Sequence, residues 1–130
     1  MVESLHHDRI KKHNSCMIIY SVTSRRSFDE IDTWIKRTMI SKELEKLSDF
    51  PVVLVGNQID LREEREVSNE EGKERALNYG IPFIETSAKD DINIHEAFHL
   101  LFDKFYEIHQ PKFLNQPQQI QKNKNYCILM

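Results

Sequence analysis

Apolar residues gather in two near-continuous runs, Met17-Ile18-Ile19-Tyr20-Ser21-Val22 and Val52-Val53-Leu54-Val55. A strand with one wet face alternates apolar and polar side chains. Runs without that alternation predict strands covered on both faces, as in a parallel sheet. Pro82-Phe83-Ile84-Glu85 predicts a third strand. Between the runs the period becomes helical. Ser27 and Glu30 form a capping-box start, with Phe28, Ile31 and Ile35 at helical spacing behind it. Ser68 and Glu71 repeat that signal, and the helix closes at Asn78-Tyr79-Gly80, where Gly80 is suited to the left-handed C-terminal conformation. Asn93 and Glu96 open the last helix, whose Ile94, Ala97, Phe98, Leu101, Phe102, Phe105 and Ile108 make an apolar face.

Strand and helix thus alternate three times, which predicts an α/β fold: three parallel strands with flanking helices and right-handed crossovers. Ligands of such sheets sit at the carboxyl ends of the strands, so the loops after Val22, Val55 and Glu85 are the candidate site. From Pro111 onward Gln, Asn, Lys and Pro dominate, and residues 116–125 have almost nothing to bury. The expected organisation is a domain over 1–110 and a flexible tail over 111–130.

Composition narrows the function classes. A chain of 130 residues holds one domain with a core. Its 39% hydrophobic and 30% charged residues are those of a soluble globular protein, and a net charge of −3 gives no reason to expect nucleic-acid binding. No apolar run approaches the ~20 residues of a membrane span, and the N-terminus lacks a signal peptide's apolar core. Cys16 leads into an apolar run and reads as a buried small hydrophobe, whereas Cys127 lies in the polar tail. Between a disulfide joining them and the reduced thiols of a cytosolic chain, the reduced state is favoured. Only three glycines are present, Gly56, Gly72 and Gly80, and none lies in a G-x-x-x-x-G-K-[ST] loop that would wrap backbone N–H groups around a phosphate.

The second candidate loop reads Gly56-Asn57-Gln58-Ile59-Asp60-Leu61, and the third Glu85-Thr86-Ser87-Ala88-Lys89. In this order and spacing they resemble the two guanine-reading loops of Ras-family small GTPases. The resemblance continues through Tyr20-Ser21-Val22-Thr23, Ser27-Phe28, Tyr79-Gly80-Ile81-Pro82-Phe83 and Glu96-Ala97-Phe98, from about Leu5 to the end of the chain. It implies a Ras-like fold of the P-loop NTPase type and a role with GTP or GDP in signal transduction. By that resemblance Asp60 accepts from the guanine N1–H and exocyclic amino group, a donor pair that adenine lacks. Asn57 reads the other edge of the base and ties the loops together. Ala88 gives its backbone N–H to the guanine carbonyl oxygen, Ser87 braces Asp60, and Lys89 lies over the ring. Sites built from such groups reject ligands that leave them unsatisfied. Gln58 departs from the family, which places Lys there to stack along the base. Gln keeps an amide and loses the charge, which implies weaker nucleotide binding.

The resemblance also implies parts that this sequence lacks: the phosphate loop, the switch threonine of the magnesium shell, and the Asp-x-x-Gly segment with its water-positioning Gln. Residues 5–14 correspond to the end of the family's second switch helix. Each hydrogen bond to a charged phosphate contributes ~1.5–3 kcal/mol, so without them nucleotide binding is expected to be weak and hydrolysis absent. No residue is assigned a catalytic or Mg²⁺-binding role. The strand beginning near Met17 is expected to have an unpaired edge. The chain is then unstable alone, covered by a partner, or part of a longer protein; a truncated or degenerate family member is the favoured reading.

Cys127-Ile128-Leu129-Met130 is a C-a-a-X box, and its final Met suggests a farnesyl group on Cys127. One such chain gives reversible anchoring, to which Lys122 and Lys124 add ~1 kcal/mol each on an anionic leaflet. The expected location is the cytoplasmic face of a membrane, in exchange with the cytoplasm. Protein effectors are not specified by any motif. His95-Glu96-Ala97-Phe98-His99 matches the H-E-x-x-H zinc pattern, but Phe105 stands where a third ligand would follow, and Ala97 and Phe98 belong to the apolar face. His on the solvated flank of an amphipathic helix is therefore preferred to a zinc site. The alternative to a nucleotide switch is a prenylated, non-catalytic remnant acting through protein or membrane contacts.

Overall fold

The computed structural model describes residues 10–113 and 127–129, with the backbone alone at residues 110–113. Strand β1 (Cys16–Ser21) leads into two consecutive helices, α1 (Arg25–Asp29) and α2 (Ile31–Ser41). Strand β2 (Val52–Asn57), helix α3 (Asn69–Tyr79), strand β3 (Phe83–Glu85) and helix α4 (Ile94–Phe113) follow, and a short strand β4 (Cys127–Leu129) completes the described residues. The sheet has the order β3-β2-β1-β4, and every pairing is parallel.

The unbroken apolar runs account for the layering. Alternate residues of β1 and β2 enter two separate cores. Cys16, Ile18 and Tyr20 join Val52 and Leu54 on the side carrying Phe28, Ile31, Ile35 and Ala76. Met17 joins Val53 and Val55 on the other side, against Ala97 and Leu101 of α4. Each fully buried Val, Leu or Ile of this kind contributes ~1.5–3 kcal/mol of transfer free energy. Tyr20 is tightly set: its hydroxyl is buried without a hydrogen-bond partner, under two glycines. A Cβ on Gly72 would lie 2.4 Å from both the Tyr20 hydroxyl and Phe83 Cζ, so only a residue without a side chain fits there.

The second helix matches its sequence signals. Ser68 and Glu71 form a complete capping box, and Gly80 closes α3 in the left-handed region at φ 69°. The first does not. Ser24, not Ser27, caps α1, accepting from Ser27 N at 3.2 Å. The Ser27 hydroxyl is occupied elsewhere, donating to Ser24 O and accepting from Ser21 N, which fastens α1 to the end of β1. Glu30 then separates α1 from α2. Asn93 precedes α4 at φ 60°, and its amide donates to Glu85 O rather than serving as an N-cap acceptor. Among the described side chains of α4 only Ala97 and Leu101 are buried; Ile94, Phe98, Phe102, Phe105 and Ile108 are half-exposed. The helix continues past Pro111 to Phe113.

A larger correction concerns the sheet edge, where an unpaired β1 was expected. There Cys16 pairs with Cys127, Met17 with Ile128 and Ile18 with Leu129. Cys127 N donates to Ser15 O at 2.8 Å. Cys127 and Leu129 are 3% and 1% exposed, so the thiol assigned to a polar tail lies in the core. The physical reason is the alternation of the segment itself. Cys127 and Leu129 enter the core beneath α2, and Ile128 packs with Met17 on the α4 side. The lysines and polar residues at 116–125 lie outside the described residues, as do Met130 and residues 1–9.

Two measurements follow from this packing. Gly72→Val is expected to destabilise the protein by ~1–3 kcal/mol in urea unfolding, while Leu77→Ala at a 79% exposed position stays within ~0.5 kcal/mol. Stability should also fall in alkali. A hydrogen bond with Cys127, and then burial, raise the Cys16 thiol well above its ordinary range; burial likewise raises Tyr20. Burial, followed by the hydrogen bond to Asp32, lifts Tyr79 to about 12. Groups raised on folding stabilise fully below their unfolded pKa values and lose that contribution as pH climbs through the folded ones. The urea midpoint should therefore hold near pH 7.5 and decline from about pH 9 upward, more steeply above about 10 where tyrosines begin to ionise.

Candidate functional site

Strands β2 and β3 end side by side, and their loops are joined by backbone bonds before any side chain contributes. Thr86 N donates to Gly56 O at 2.8 Å and Ile59 N to Thr86 O at 3.2 Å. On this frame sit two side-chain bonds. Thr86 Oγ1 donates to Asn57 Oδ1 at 2.9 Å, and Ser87 Oγ donates to Asp60 Oδ1 at 2.8 Å. Thr86 and Ser87 are buried, whereas Asn57 and Asp60 are half-exposed. The loop after β3 thus contributes two sheltered hydroxyls that orient two accessible polar groups on the loop after β2.

Ser87 is itself fixed from two sides. Its hydroxyl accepts from Asp90 N at 3.0 Å, and its backbone exchanges two hydrogen bonds with Ile92. The arrangement leaves the second carboxylate oxygen of Asp60 and the Nδ2 donor of Asn57 to act on a ligand. Ala88 and Lys89 follow Ser87 on the exposed surface. Gln58 takes a different course. Its backbone is in the left-handed region at φ 68°, and its side-chain oxygen accepts from Ser21 Oγ, with Thr23 Oγ1 at 3.5 Å. The site residues expected from sequence are therefore gathered at one sheet end, with Gln58 turned to the loop after β1.

Sequence reading missed the support beneath them. Arg65 grips Glu85, the last residue of β3, with a two-pronged bond of 2.8 and 2.9 Å, and also donates to Val67 O. Glu85 beside it raises the Arg65 guanidinium pKa above its usual value. The Glu85 side chain is 11% exposed and its carbonyl accepts from Asn93. β3, the loop before α3 and the start of α4 thus meet at one residue. No local pattern links Arg65 to Glu85 across twenty positions; only the parallel pairing of β2 and β3 does. His95 and His99 are exposed on α4, and among the described residues no group of three or more His, Cys, Asp or Glu is placed to hold a metal ion. No described helix is long and apolar enough to cross a membrane.

An open parallel α/β sheet with two interlocked polar loops at its carboxyl edge defines the structural class. The model of the Ras family matches residues 2–107. The chain is 36% identical over 127 residues to the Ras-related protein Rab-8A of Bos taurus, covering 88% of this chain and 59% of that protein. It is 48% identical over 86 residues to Ras-like protein 1 of Saccharomyces cerevisiae, covering 65% of this chain and 26% of that protein. This chain belongs to the Ras family of small GTPases. It spans about 59% of the length of the Rab-8A relative it matches.

The Arg65–Glu85 pair yields a stability test. Arg65→Ala leaves a nearly buried carboxylate without its main partner and is expected to lower unfolding stability by ~1–3 kcal/mol. Arg26→Ala, which removes a pair whose Arg is 91% exposed, should change it by less than ~0.5 kcal/mol. Urea unfolding of the two variants side by side checks the difference.

Proposed function

We propose that the chain reads the guanine base of GTP or GDP through the loops after β2 and β3, as the base-recognition part of a signalling switch. The observation that carries this reading is the Ser87–Asp60 bond, with the Thr86–Asn57 bond beside it. A carboxylate already held by one hydroxyl presents its remaining lone pairs in a fixed direction, so little ordering is required when a ligand arrives. In this reading Asp60 accepts from the guanine N1–H and amino group. Asn57 Nδ2 donates to the opposite edge, the Ala88 N–H meets the carbonyl oxygen, and Lys89 lies over the ring.

The base-reading unit occupies residues 1–110, and residues 111–130 carry a farnesyl acceptor at Cys127. A single lipid of that kind gives reversible residence on the cytoplasmic face of a membrane. A second reading, a lipidated protein that works through protein or membrane contacts without nucleotide, is favoured by Gln58. That side chain lacks the family's charge and is engaged with Ser21.

Fluorescently labelled GDP and GTP added to the purified chain distinguish the two. Guanine-specific binding that ATP does not displace is expected, and Asp60→Ala should weaken it by about 10–100-fold, the loss of one to two charge-assisted bonds. Absence of binding at about 100 µM nucleotide would leave the second reading in place of the first.

A further inference from the structure

The sulfur proposed to carry the lipid is the one that β4 hides. Cys127 is 3% exposed, directly opposite Cys16 in the β1–β4 register, and its backbone N–H is bound to Ser15 O. The two residues after it face opposite sides of the sheet. Leu129 is 1% exposed in the core beneath α2, and the half-buried Ile128 packs against the cluster of Met17 and its neighbours on the α4 side. The segment thus acts as an edge strand with one face buried and the other half-covered. It also pairs the edge of β1 at Cys16–Ile18, which would otherwise offer unpaired backbone groups to any passing strand.

We propose that the outer edge of β1 is a docking site for the chain's own Cys127–Leu129 segment, and that docking and lipidation at Cys127 exclude each other. This inference rests on the reading of Cys127-Ile128-Leu129-Met130 as a lipidation box. The chemistry imposes the exclusion. The Cys127 sulfur must form a thioether bond to C1 of an isoprenyl diphosphate, while the C1–O bond breaks and diphosphate leaves with the bonding pair. The thiol proton passes to solvent. Neither the reagent nor a catalyst can reach a sulfur buried against Cys16, so the strand must first leave the sheet. Once attached, an isoprenyl chain cannot be accommodated in a core packed around Ile10, Cys16, Ile18 and Leu129, so the strand cannot return.

The lipidated chain therefore exposes the β1 edge at Cys16–Ile18, and the unlipidated chain covers it there. The box controls the sheet edge as well as the membrane anchor. Interior residues of the docked strand, not the polar tail, set how often the acceptor is presented.

The test compares the native full chain with a peptide of residues 121–130. With N-ethylmaleimide at neutral pH, alkylation of Cys127 located by peptide mapping should be at least about tenfold slower in the chain than in the peptide. Leu129→Asp, which places a carboxylate in the core, should raise the chain's rate to that of the peptide while circular dichroism retains the α/β signal. The wild-type rate decides the matter alone if that variant unfolds. Equal rates in wild-type chain and peptide would overturn the docking. In parallel, chain and peptide are incubated with farnesyl diphosphate and a protein farnesyltransferase. Modification of the peptide with at least about tenfold slower modification of the chain supports the exclusion. A peptide that accepts no farnesyl group overturns the lipidation reading, and the exclusion with it, whatever the alkylation rates show about burial.

Discussion

The parallel ladder from Cys16↔Val52 to Ser21↔Asn57 is the constraint on which the rest of the molecule depends. Its six residue pairs send alternate side chains into two cores, so a slip of one position would exchange the contents of both. The same register sets Ser21 beside Asn57, and Val22 N bonds to Asn57 O at 3.0 Å. Every polar group at the carboxyl edge is positioned from that point. Tyr20 registers with Gly56, and the absence of a Cβ at Gly56 and Gly72 gives its ring room to lie between β2 and α3.

The site is organised by an unequal division between hidden and accessible groups. Thr86 and Ser87 are buried and commit their hydroxyls to Asn57 and Asp60, which remain within reach of solvent. Beneath them Glu85 is clamped by Arg65 and Asn93, so the loop after β3 springs from a fixed base. Such layering holds functional groups in place through their partners. Gln58 stands outside this scheme. It occupies a left-handed backbone position and turns its amide toward Ser21 and Thr23, linking the loops after β1 and β2.

The opposite edge of the sheet obeys a different rule. An exposed strand edge is a liability, and β1 is apolar on both faces, so a strand that pairs with it continues both cores best when it is apolar on both faces too. Cys127-Ile128-Leu129 fits that requirement through the same residues that make it resemble a lipidation box. Its place in the core follows from that apolar character: Cys127 and Leu129 are 3% and 1% exposed.

Much of this was legible in the residues alone. The apolar runs determined two interior strands, and Ser68, Glu71 and Gly80 determined the limits of α3, because capping and left-handed closure are local. The paired loops Gly56–Asp60 and Glu85–Lys89 marked the candidate site, since their residue types and order survive in sequence. Ser24 displaced Ser27 as a cap because Ser27 is claimed by the end of β1, a contact six residues away that capping statistics do not weigh. The Arg65–Glu85 clamp, the turn of Gln58 toward Ser21, and above all the burial of Cys127 beside Cys16 were decided only in three dimensions. Each joins residues far apart in the chain through the register of a parallel sheet. A local pattern carries no information about which distant segment will meet it.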